Sequence, residues 1–373
     1  MGFVFIYFSV GGSNNDSTRI AQGLIDMHFN LIDFDTVSGY FYKENKLDIY
    51  QTLVTFIVSI FTANPQFLFF VFAIVFGYFY SRNMFMIFEF AKTDKLNWWV
   101  WAVILMFILI VPIWNINGVR MYTAFHVFLY GLYSYLLKKN YKRLIWCVLS
   151  VFVHFSFIIP LTLLFVYFFL PKKNTSIFFI FYFVAIAFAE IDIQSLKSGL
   201  QDILPEQLSR KTSDYMSEDY VATVNELNAS YSQYINIAAQ MARYFSLIVI
   251  IYFWINIKSL FKNELYVKML TLFLFFGAIF EILSVIPSMG RFKVITNMIF
   301  YALLIIMLFD SSENSKLNLF IKYSSLLLIL PILFQLRKGT DFYGLSLLWG
   351  NFVSAFFYED NVTIIEAIKS IIS

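Results

Sequence analysis

Residues 98–114 read WWVWAVILMFILIVPIW, without one charged side chain. Similar runs recur at 66–80, 119–137, 144–170, 176–189, 235–257, 266–286, 294–309 and 319–334, with shorter or mixed ones at 3–10, 50–63 and 342–358. A membrane-spanning helix needs about 20 mainly apolar residues. In hydrocarbon, only helices and closed barrels satisfy every backbone group. The chain is 60% hydrophobic and 14% charged, against about 25% charged residues in soluble domains. A soluble core in 373 residues cannot hide that much apolar surface. The expected fold is an all-α polytopic integral membrane protein with about ten transmembrane or re-entrant helices. It reads as a single membrane domain over residues 1–373, interrupted at 190–233 by one sizeable extracytoplasmic loop.

Several function classes drop out. The net charge of +3 gives no electrostatic footprint for nucleic acid. The lone cysteine, Cys147, lies inside an apolar run, so there is no disulfide framework. No P-loop, G-x-G-x-x-G or H-E-x-x-H occurs, and three scattered histidines give no metal-ligand spacing, so neither metal nor cofactor is expected. The DFD at 33–35 sits in a short early polar stretch, not in the soluble domain that a nucleotide-sugar transferase would need. The run 3–10 has no basic residues before it to make a cleavable signal peptide, and it is too short to span. No repeat and no duplicated halves are visible.

Lys and Arg in short loops orient a membrane chain. The basic clusters at 81–95, 138–143, 171–174 and 258–264 are expected in the cytoplasm. Two of them flank the run 144–170, which should therefore turn back near residues 154–160, where Pro160 removes a backbone donor. The polar stretches 11–48, 115–120, 190–233, 287–293 and 336–341 are then outside, with 50–63 lying along the outer surface. The 190–233 stretch has few basic residues (Lys197, Arg210 and Lys211) among more numerous carboxylates, as suits a translocated loop.

On this scheme Arg19, Arg120, Arg291 and the bend at His154 share one side. An arginine offers a permanent charge and a planar fork suited to phosphate, and an ionisable residue at membrane depth marks a functional site by default. The plainer alternative is an arginine snorkelling from a helix end to lipid headgroups. His154, with Ser156 two residues on, is a candidate general base or hydrogen-bond donor. His126 falls on nearly the opposite helix face from Arg120 and reads as structural. Glu281 sits in an apolar run and should pair with Arg291 or Arg243.

The order of motifs resembles the EpsG/Wzy family of bacterial polysaccharide polymerases. The carrying stretches are S-N-N-D-S-T-R (13–19), N-G-V-R-M-Y-T-A (117–124), K-K-N-Y-K-R (138–143), V-F-V-H-F-S (151–156), M-G-R-F (289–292) and W-G-N-F (349–352). The resemblance implies a membrane glycosyltransferase. It would join polyprenyl-pyrophosphate-linked oligosaccharide repeat units on the outer face of the bacterial inner (cytoplasmic) membrane and release polyprenyl pyrophosphate. Its partners would be that glycolipid, membrane lipid, and the pathway's chain-length regulator and flippase, with no nucleic acid. Catalytic roles fall to His154, Arg120 and Arg291, and substrate binding to Arg19, Arg243, Glu281, Asn117 and Ser156. The rival readings are a ligase or membrane O-acyltransferase, and a glycolipid flippase. An acyltransferase would want its histidine near the cytoplasm, and a flippase usually shows two related halves.

Overall fold

The structure is a computed structural model that describes residues 16–30, 48–90, 96–171, 174–189, 233–286, 289–310, 315–348 and 362–372. The run 3–10, most of the 190–233 stretch and the W-G-N-F motif lie outside the described residues. Within them the regular elements are helical, apart from one isolated antiparallel bridge between Gly344 and Thr363. In chain order the helices are α1 (Asp16–Phe29), α2 (Ile49–Ser59), α3 (Pro65–Phe88), α4 (Trp98–Ile110), α5 (Met121–Lys138), α6 (Ile145–Val153), α7 (Ile158–Phe169), α8 (Thr175–Ala189), α9 (Gln233–Ile255), α10 (Ile257–Leu260), α11 (Glu264–Leu283), α12 (Lys293–Asp310), α13 (Ser315–Ser324), α14 (Ile329–Gly339) and α15 (Ile364–Ile372).

Six helical stretches among the described residues are long and apolar enough to cross a membrane: Pro65–Phe88, Trp98–Asn115, Gln233–Ile255, Glu264–Leu283, Met289–Asp310 and Lys316–Gly339. Ile49–Ser59, Phe155–Phe169 and Thr175–Ala189 are shorter apolar helices. The protein is an all-α polytopic membrane protein. Ile, Val and Trp side chains stay exposed on α8 and α9, among them Ile177, Ile180, Val184, Ile248, Ile251 and Trp254, as lipid-facing surfaces do.

One boundary differs from the expectation. The segment expected at 66–80 continues to Phe88, through Ser81, Arg82 and Asn83, which had been read as the start of a cytoplasmic loop. Local bonds explain it: the Ser81 hydroxyl donates to the Gly77 carbonyl at 2.7 Å, and the buried Asn83 amide donates to the His126 carbonyl at 2.9 Å. Polar groups satisfied in this way need no water. The run 144–170 breaks within the expected stretch 154–160, at His154. That residue is extended (φ −149, ψ 114) between α6 and a short 3-10 turn, Phe155–Phe157. Pro160 lies in the first turn of α7, where its missing N–H has no intrahelical partner to lose. At the end of the chain, the described part of the apolar patch 342–358 holds the bridge residue Gly344 and a 3-10 turn, Leu345–Leu348.

Chain contacts divide the protein into two compact units. Unit 1 comprises residues 1–89, 111–161 and 335–373, and unit 2 residues 90–110 and 162–334. In unit 1, α5 is buried along almost its whole length and packs between α3 and α6. The α5–α6 approach is close at Gly131, where a Cβ would lie 2.7 Å from Cys147 Sγ and 2.9 Å from the Arg143 carbonyl. Small residues permit this kind of contact between membrane helices. The Cys147 thiol donates to the Phe128 carbonyl at 3.3 Å. Helix α2 packs against α1, α3 and α6, with Ile20, Leu24, Val58, Leu68 and Phe72 forming a small core. In unit 2, α11 packs against α8 and α12, and α12 against α4.

Candidate functional site

Asp48 occupies the N-cap of α2, where an aspartate ordinarily accepts a bond from its own helix. It makes no such bond. Its Oδ2 instead accepts from Arg120 Nη1 at 2.9 Å and from His154 Nδ1 at 3.0 Å, and its Oδ1 accepts from the Phe155 main-chain N–H at 2.7 Å. The break at His154 makes this arrangement local. Where α6 ends in an extended residue, the next N–H leaves the helical ladder and becomes available to the carboxylate. Arg120 arrives from the N-cap of α5, directly after Val119 of the small core. Asp48 and His154 are largely enclosed, with side chains 11% and 18% exposed, while Arg120 is more open at 38%.

Asp48 precedes α2 and lies outside the six spans. Burial pushes its carboxyl upward. The hydrogen bond from His154, the charge His154 carries when protonated, the Phe155 N–H and the Arg120 guanidinium together outweigh that, holding it below the usual carboxylate value. An ionised carboxylate only accepts hydrogen bonds, so Nδ1 of His154 must be the donor. Neutral His154 then carries its lone pair on Nε2, the tautomer of a general base.

His126 is structural, as its helix face suggests. It is fully buried among Phe76, Tyr80 and Phe125 and meets Asn83. Ser156 Oγ is buried without a hydrogen-bond partner among the described residues. Asn117 closes a 3-10 turn, Ile113–Asn117, and its side chain lies outside the described residues. Arg19 is exposed on α1 of unit 1.

Unit 2 holds a second polar group. A cavity of about 210 Å³ is lined by Arg243 and Ser246 of α9, Glu281 of α11, Lys293 and Asn297 of α12, and Tyr182 of α8, among others. Glu281 is ion-paired with Lys293 at 2.6 Å, where the sequence reading offered Arg291 or Arg243. Lys293 reaches it because α11 ends and α12 begins within a short break, which sets the two residues at facing helix ends. Arg243 and Glu281, both expected to bind substrate, thus line one space. Arg291 is exposed in the 3-10 turn Met289–Phe292, outside the cavity lining.

Asp48 and Lys293 are the residues that sequence reasoning missed. Asp48 could have been noticed as an acid directly heading an apolar run, in K-L-D-I-Y-Q. Lys293 similarly heads the run V-I-T-N-M-I-F.

Comparison with curated proteins and with solved structures finds no match. The family comparison does: residues 27–354 match the model of the EpsG family, and with most of its length covered the chain belongs to that family.

Proposed function

We propose that the protein polymerises polysaccharide by joining polyprenyl-pyrophosphate-linked oligosaccharide repeat units on the outer face of a bacterial inner membrane. EpsG family membership supports a membrane polymerase of this type. The observation that carries the chemistry is the Asp48 carboxylate, which holds His154 by Nδ1 and Arg120 by Nη1 in one partly enclosed cluster. A sugar hydroxyl of the acceptor gives its proton to His154 Nε2, and its oxygen forms the bond to the donor's anomeric carbon. The bond from that carbon to the pyrophosphate oxygen breaks, and polyprenyl pyrophosphate leaves with the electron pair. Asp48 stabilises the imidazolium that forms. Arg120, preorganised by Asp48, faces the developing negative charge. Arg291 and Arg19 are assigned to the anionic part of the substrate by their motif positions, and Ser156 offers an uncommitted hydroxyl.

The test is a surface-glycan gel from the host with the gene disrupted, beside strains carrying Arg120→Ala and His154→Ala. Single repeat units in place of the long-chain ladder in all three support a polymerase and these two residues. Loss of all surface glycan would move the reading to a flippase, and an unchanged ladder to an acyltransferase.

A further inference from the structure

We infer that the unit 2 cavity binds a sugar phosphate: the first, phosphate-linked sugar of a glycolipid, with its phosphate against Arg243 and Lys293 and its sugar hydroxyls against Glu281. Arg243 lies ten residues into α9, a helix long and apolar enough to cross a membrane, and lines the cavity. A guanidinium within such a helix needs a polar space to face, and the cavity is such a space. Lys293 and Asn297 come from the first two turns of α12, whose positive dipole end adds to the two cations. Glu281 is ion-paired with Lys293 in the cavity lining.

That carboxylate also selects the ligand. A bare phosphate beside Glu281 meets like-charge repulsion. Sugar hydroxyls instead donate to Glu281 and accept from Lys293. The ring of Tyr182 supplies a flat wall within electrostatic reach of both Glu281 and Arg243. It lies close against α11 because residue 277 is glycine: a Cβ there would sit 2.7 Å from Tyr182 Cε2. The cavity, of about 210 Å³, has room for a small polar ligand such as one sugar with its phosphate.

This inference rests on the glycolipid reading above, but binding tests it, not polymer formation. Purified full-length protein in nanodiscs would be titrated calorimetrically with glucose 1-phosphate, galactose 1-phosphate, glucose and inorganic phosphate. A hexose 1-phosphate should bind at least about tenfold tighter than phosphate or free sugar, as one added charge-assisted hydrogen bond gives. Arg243→Gln should weaken sugar phosphate and phosphate alike by about tenfold. Glu281→Gln should abolish the preference for sugar phosphate while phosphate binds as well or better, a gain that misfolding cannot produce. A ladder retained in the strain with the gene disrupted would sink the polymerase reading, while sugar-phosphate binding by the purified protein would leave this one standing. Absence of hexose-phosphate binding, or binding indifferent to both Arg243→Gln and Glu281→Gln, overturns the inference. So does equal displacement by phosphatidylglycerol, which would mark a phospholipid headgroup site.

Discussion

The Asp48 carboxylate serves a guanidinium, an imidazole and a main-chain N–H at once, so replacing it disturbs three groups. Asp48→Asn puts an amide where Nδ1–H needs an acceptor and favours the wrong imidazole tautomer. Polymer formation measured in isolated membranes should fall by about 10²–10⁴-fold. The double variant Asp48→Asn/His154→Ala should be no worse than His154→Ala alone, because the two act as one unit. Losses that multiplied would assign them separate roles. Arg120→Lys keeps the charge but loses the planar fork; full activity in that variant would refute the role given to the fork. The pH dependence has a definite sign. A carboxyl held below its usual value contributes stability above about pH 4 and loses it as pH falls through the lower folded value. The Asp48 cluster should therefore persist across the neutral range and come apart only in strong acid, as thermal unfolding scanned against pH would show. Arg120 and His154 were legible in sequence because each interrupts an apolar run. Asp48 was not, because its partners lie 72 and 106 positions away and no local pattern links them.

Helix α5 shows how an element sets the site. Arg120 caps one end of it, and α6, seated on its middle, ends at His154. The seat is Gly131. Gly131→Ala would drive a methyl group into Cys147 Sγ and the Arg143 carbonyl, an overpacking that costs about 1–3 kcal/mol. Its melting temperature in detergent should drop. Cys147→Ala in the same chain should restore only part of the loss, since the Arg143 backbone cannot give way as a side chain can. Full restoration would place the strain on the thiol alone. The cores of the long helices were readable from composition, but their ends were not. Apolar content cannot reveal that Asn83 stays inside α3 by bonding to the His126 carbonyl, nor that Pro160 is absorbed in a first turn, whereas the basic clusters on both sides of 144–170 do point to the break at His154.

At the scale of the whole molecule, about ten expected segments resolve into six long apolar helices and three shorter ones among the described residues. The difference has a physical basis. Helix α2, with 11 residues, is only about 16 Å long, and α5 dilutes its apolar residues with Tyr, His, Ser and Gly because protein, not lipid, surrounds it. Enclosure by itself does not lower hydropathy, since Met289–Asp310 is largely buried and still strongly apolar; α5 falls short through its own polar and small residues. A phosphatase reporter fused after Lys211 should be active, placing that stretch outside; a reporter active only in the cytoplasm would reverse the orientation and remove the outer-face reading with it. The seat of α6 on α5 also has a practical consequence. Cys147, the lone cysteine of the chain, is sealed beneath α5 at 0% exposure. A buried thiol is inert to polar reagents. The native protein is thus already a silent background for thiol chemistry: a cysteine placed at any one surface position would be its only reactive handle, and each loop could be assigned a side with a single impermeant maleimide, without first removing a residue that the α5–α6 contact needs.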